Sequence, residues 1–177
     1  FYELLTVSTY PLVAHDETEE ARAAGRKYLA YTFGGGVAVL AGTVLVYVAA
    51  GTVTFSAGGI EGLTAGAGTN VARLAFALLA GGFAVKAAVM PLHSWLPDAM
   101  VAPTPVSGLL HAVAVVKSGA FSLSRVVLDV FGPEAVAEVD AGVPLAAVAV
   151  FTFIVASVIA LRKDNLKRRL AYSTIAQ

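Results

Sequence analysis

Uncharged stretches long enough to cross a lipid bilayer alternate along this chain with short charged ones. Residues 28–60 carry no charge over thirty-three positions, and 141–161 none over twenty-one. About twenty apolar residues suffice for one helical crossing. The pattern predicts spans at about 1–14, 27–50, 71–98, 105–130 and 142–161, with a further, incomplete one at 169–177. The fold class that follows is an all-α, polytopic transmembrane helix bundle. Gly34, Gly35, Gly36 and Gly42 in the second span predict close helix packing, as small residues do in lipid. Pro11 kinks the first helix or marks its last turn. Pro91 removes a backbone donor and disfavours helix at the residue before it, so a broken helix is expected near Lys86–Pro91. The carbonyls freed there must face a cavity or neighbouring helices, because lipid cannot satisfy them. The APTPVS connection at 102–107 is expected to be a tight turn, with Thr104 capping the next helix and Pro105 at its first position.

The connections differ in charge. HDETEEARAAGRK at 15–27 is acidic and then basic, and RKDNLKRR at 162–169 is strongly basic. FGPEAVAEVDAG at 131–142 is acidic, and the Gly/Thr/Ser/Ala-rich 51–70 holds a single charge, Glu61. Alternating sides puts 15–27, the 98–104 turn and 162–169 together. That group holds eight Lys/Arg and the opposite group, 51–70 with 131–142, none. The positive-inside rule then places the basic end in the cytoplasm, and the chain in the cell membrane as a multi-pass protein.

Composition narrows the function. The chain is 58% hydrophobic and 14% charged, against about 25% charged residues in soluble domains. Its net charge is zero, which argues against a nucleic-acid partner. There are no cysteines, which excludes disulfides, thiolate metal sites and cysteine-ligated iron–sulfur clusters. The glycines at 34–36 do not follow a strand and have no acidic ribose partner, so they are no dinucleotide fingerprint. No cofactor, metal site or catalytic redox site is expected here, and any redox chemistry belongs to partner subunits. The chain starts at Phe1 inside an apolar run and stops as another begins. Residues 1–177 are therefore expected to be a fragment of one larger transmembrane domain.

Against that apolar background, Lys86 stands out. Twelve uncharged residues precede it and, with His93 neutral, eleven follow it. At roughly 1.5 Å per helical residue it lies about 20 Å from Arg73 along the axis, too deep for its stem to snorkel to water. A lysine at that depth needs a partner, a water-filled cavity or loss of its proton. A group poised to lose and regain a proton is the raw material of a proton pathway. Glu3 places a carboxylate in the apolar first span. His111 and Lys117 lie six residues apart, on different helix faces about 9 Å apart along the axis, and could be successive stations along a chain of waters. His93 is expected to bond the backbone at the break, and Trp95 to anchor at the membrane interface. Asp98 caps its turn or pairs with a loop cation.

The segment KAAVMPLHSWLPDAMVAPTPVSGLLHAVAVVKSGAF, flanked by FYELLTVSTYPLV and LAYSTIAQ, resembles the antiporter-like proton-translocating subunits. That superfamily joins respiratory complex I, membrane-bound hydrogenases and Mrp-type cation/proton antiporters, and FYELLTVSTYPLV looks most like the D-type branch of the antiporter subunits. The resemblance covers essentially the whole chain. It implies a proton-translocation set in which Glu3 pairs with Lys86 on a broken helix, and His111, Lys117 or both relay the proton onward. It also implies other membrane subunits as partners, and protons with or without Na⁺ as cargo. The parent is then driven by an NADH:quinone oxidoreductase-type reaction or exchanges Na⁺ for protons, and these residues leave that choice open. A purely structural membrane scaffold is the competing reading, against which the cost of burying lysines argues.

Overall fold

Uncharged sequence that must satisfy its own backbone in lipid becomes helix, and the chain is helical nearly throughout. The computed structural model describes residues 2–177, the side chain of Ala67 excepted. The helices are α1 (Tyr2–Val13), α2 (Glu19–Ala50), α3 (Leu63–Ala67), α4 (Thr69–Ala87) and α5 (Trp95–Ala99). After them come α6 (Thr104–Glu138), α7 (Gly142–Leu161) and α8 (Leu166–Ala176). No strand occurs among the described residues. Four helices, α2, α4, α6 and α7, are long and apolar enough to cross a membrane. On α7, Val143, Val150, Phe151, Phe153 and Ile154 are all exposed, as side chains facing hydrocarbon would be.

Helix α2 packs antiparallel between α1 and α4, and glycines set the spacing. Gly35 lies against the Gly82 carbonyl and Val85 on α4, and Gly42 lies against Leu79. Gly36 and Gly25 lie against Glu3 and Tyr10 on α1. Gly34, expected to share this role, faces open space. Helix α2 begins at Glu19 rather than near residue 27, because the Thr18 side chain caps it by accepting from the Ala21 amide at 3.1 Å. Its charged first turns carry no apolar signal.

The break comes at Ala88, three residues ahead of Pro91. Ala88 adopts a left-handed conformation with φ 58° and closes α4. Neighbouring groups then satisfy the irregular segment. The Trp95 indole donates to the Val85 carbonyl at 2.8 Å, and the Met90 amide donates to Thr152 Oγ1 on α7 at 3.1 Å. Trp95 is therefore not an interface anchor. It is fully buried, its ring tilted against that of Tyr28 at 5.2 Å, and its N–H adds a second hydrogen bond to a carbonyl that already accepts from the Ala88 amide at 3.1 Å. Thr104 is likewise not the cap of α6 but its first residue, with Pro103 in the cap position.

Helix α6 is interrupted by π-helical turns at Leu109–Val113 and Val126–Phe131. It continues to Glu138, through residues whose polarity reads as loop. The two ends of the bundle are each tied by contacts between connections. At one end Lys27 pairs with Asp98 at 2.6 Å and Lys167 Nζ donates to the Ala102 carbonyl at 2.9 Å. At the other, the Ile60 amide donates to the Val130 carbonyl at 2.9 Å, and Arg73 pairs with Asp140 at 2.5 Å. The loops thus group as their charges group them.

Candidate functional site

Lys86 occupies the last turn of α4, just before the break, and is 0% exposed. Its ammonium donates to the carbonyl of Tyr2, which belongs to the peptide joining Tyr2 to Glu3. The same nitrogen sits 3.4 Å from the centroid of the Tyr2 ring, a cation–π contact in a desolvated setting. Tyr2 is in turn fixed by its hydroxyl, which donates to the Gly82 carbonyl at 2.8 Å, and by edge-on contact with Phe83. Helices α1 and α4 thus meet at the buried amine.

Glu3 follows directly. Both of its carboxylate oxygens are buried, and neither has a hydrogen-bond partner among the described residues. The carboxylate lies over Gly36 of α2, where a Cβ would collide with it. No ion pair within 4.0 Å joins Glu3 to Lys86 among the described residues, although their charges act on each other. The acid and the base are neighbours held apart. Leaving a carboxylate and an ammonium buried and not in contact is costly.

The structure does not gather all the expected residues at one point. His111 lies in the first π-helical turn of α6, half-buried, with Nδ1 2.5 Å from the Ser107 carbonyl. Lys117 is exposed. Two residues on, Gly119 packs directly against the backbone of Lys86 and Ala87, so α6 touches the break with a face other than the one Lys117 occupies. At the break the His93 ring faces Tyr172 at 6.0 Å. A cavity of about 830 Å³ beside the break, walled by Met90, Pro91, Leu123 and Val148 among others, does not include Lys86 in its lining.

Sequence reasoning missed Tyr2, which meets the Lys86 amine with both its carbonyl and its ring, and named Gly36 for helix packing without its contact to Glu3. An isolated tyrosine in an apolar span carries little signal of its own.

Comparison with known proteins identifies the family. The family described as NADH:quinone oxidoreductase/Mrp antiporter, transmembrane, matches residues 1–177. NAD(P)H-quinone oxidoreductase chain 5 of Synechocystis sp. is 35% identical over 184 residues, covering 100% of this chain and 26% of the relative. The A-type Na⁺/H⁺ antiporter subunit of Alkalihalophilus pseudofirmus is 34% identical over 178 residues, covering 100% of this chain and 21% of that protein. In the solved Mrp complex from Dietzia sp., one chain superposes with a TM-score of 0.82 at 31% identity, covering 99% of this chain and 19% of that one. The antiporter relative is thus of the A type, where the first segment of the sequence looks most like the D type. This chain spans only about a quarter or less of the length of these relatives. With a match that runs from the first residue to the last, the chain belongs to the NADH:quinone oxidoreductase/Mrp antiporter transmembrane family.

Proposed function

We propose that this chain is the proton-handling part of an antiporter-like subunit and works within a multisubunit membrane complex. In this reading Lys86 is a switchable base and Glu3 its acidic partner. The observation that carries it is the fully buried Lys86 ammonium, bonded to the carbonyl beside an unpartnered, buried Glu3 carboxylate.

The chemistry follows from what each position of the pair does to a proton. With the carboxylate drawn onto the amine, opposite charges hold the proton on nitrogen. With the two apart, a desolvated ammonium is uncompensated, and the proton leaves for the next acceptor. Moving the pair by a few ångströms is therefore enough to load and unload it. The break at Ala88 and the glycine contacts at Gly35 and Gly36 supply an irregular, closely packed place for that movement. His111 is the proposed next station, since an imidazole exchanges protons near neutral pH. Lys117, on the exposed face of α6, is proposed to act after it, toward whatever covers that face in the complex. The basic end of the bundle is assigned to the cytoplasm by its charge.

The relatives' names divide between an antiporter and a quinone oxidoreductase. The proposal attaches to the step these machines would share, movement of a proton through the membrane part. It is tested in the full complex, in sealed membrane vesicles with a pH-sensitive dye. Lys86→Ala should cut proton translocation by roughly a hundredfold or more, the scale of a positioned proton-transfer group, while the complex still assembles. Unaltered translocation by that variant would refute the assignment.

A further inference from the structure

Backbone amides buried at a helix break need partners, and those from Ala88 to Leu92 can be followed one by one. Ala88 donates to the Val85 carbonyl at 3.1 Å, Val89 to the Ala84 carbonyl at 2.9 Å and Leu92 to the Val89 carbonyl at 2.7 Å. Pro91 has no N–H to satisfy. Met90 differs from the rest, because its amide leaves the segment and donates to Thr152 Oγ1 on α7 at 3.1 Å. Met90 and Thr152 are each only 4% exposed. Helix α7 is otherwise a poor source of hydroxyls, since Thr152 and Ser157 are its only polar side chains. Phe151 and Phe153 beside Thr152 are exposed, whereas Thr152 shares the inward face with fully buried Ala156, which belongs to the same apolar cluster as Met90 and Trp95.

The place of Met90 gives this bond its meaning. In an unbroken α-helix each amide donates to the carbonyl four residues back, so the Met90 amide would belong to the carbonyl of Lys86. Thr152 takes that donor away, and Pro91 withdraws the next one, which Ala87 would have received. We propose that Thr152 is a positioning residue for the buried amine, holding the helix open at Lys86 by capturing the Met90 amide. The inference rests on the reading of Glu3 and Lys86 given above and deepens it. Three helices then fix the break. Helix α1 meets the Lys86 ammonium through Tyr2, α6 presses Gly119 onto the backbone of Lys86 and Ala87, and α7 holds Met90 beyond the left-handed turn at Ala88. Without the Thr152 hydroxyl the Met90 amide is a buried donor in a setting where hydrocarbon offers no acceptor. The Lys86 carbonyl is the acceptor that helical geometry supplies. Rewinding toward it moves the residue that carries the amine and changes how that amine stands to Glu3.

A hydrogen bond between helices also stabilises, so the test separates position from stability. Thr152→Val keeps the shape and removes the acceptor, Thr152→Ala removes it with less bulk, and Thr152→Ser keeps the hydroxyl. All three are made in the full complex beside Lys86→Ala, and dye-reported translocation in sealed vesicles is measured per assembled complex across a range of pH. Thr152→Val and Thr152→Ala are expected to slow translocation by roughly tenfold or more, the scale of a small misplacement. They are also expected to shift its pH profile, because an amine's hold on its proton depends on what surrounds it. Thr152→Ser should keep both rate and profile near those of the unaltered protein. A bond that only stabilises would lower the amount of assembled complex and leave its rate and pH profile alone. Unaltered rates in Thr152→Val and Thr152→Ala, an unmoved pH profile, or equal loss in Thr152→Ser would overturn the proposal. Silence of Lys86→Ala beside a fully active Thr152→Val removes the role of Thr152 alone. Normal translocation by Lys86→Ala removes the underlying reading and this inference with it.

Discussion

An alanine at position 36 would put a methyl group where the Glu3 carboxylate now lies. That contact makes Gly36 a positioning residue for an acid on another helix. Gly36→Ala is expected to lower proton translocation nearly as far as removing the carboxylate, with the complex still assembled. Parallel vesicle measurements on Gly36→Ala and Glu3→Gln check this, and a normal rate in Gly36→Ala would contradict it. At this scale the sequence was legible where a charge stands alone. Lys86 declares itself by twelve uncharged residues before it and eleven after, because burying an amine is too expensive to be incidental. Gly36 carries only the packing signal of a small residue, since what it holds depends on which residue of a separate helix lies opposite.

Among the elements, the broken helix was legible and its exact construction was not. Pro91 signals a break, but the backbone turns at Ala88, and the Trp95 indole braces it by bonding the Val85 carbonyl. No local pattern reveals that a tryptophan ten residues on reaches back to that carbonyl. Trp95→Phe keeps the ring packed on Tyr28 and removes the donor. Loss of one buried hydrogen bond is worth about 1–3 kcal/mol, so the assembled complex should unfold at a lower temperature in a thermal melt. An unchanged midpoint would show that the Ala88 amide alone satisfies the Val85 carbonyl. The π-helical turns of α6 were equally hidden, because an extra residue in one turn leaves an apolar pattern nearly intact. They change which face His111 presents relative to Lys117, the relation that a regular 100° per residue assumes.

In the whole molecule, connections that charge alone assigns to the same side also meet in space. Lys27 reaches Asp98 at one end and Arg73 reaches Asp140 at the other. Both pairs are partly exposed, and each is worth up to about 1 kcal/mol, so they mark the ends of the bundle more than they hold it together. Between those ends lies one buried amine beside one buried acid. What separates a carrier from a structural cation is whether the charge at position 86 can leave, and Lys86→Arg asks that directly. Guanidinium keeps the positive charge and its hydrogen bonds, yet does not give up its proton in proteins. Translocation by the assembled Lys86→Arg complex in sealed vesicles is therefore the decisive measurement. The account predicts a rate as low as that of Lys86→Ala, and a rate near that of the unaltered protein would contradict it.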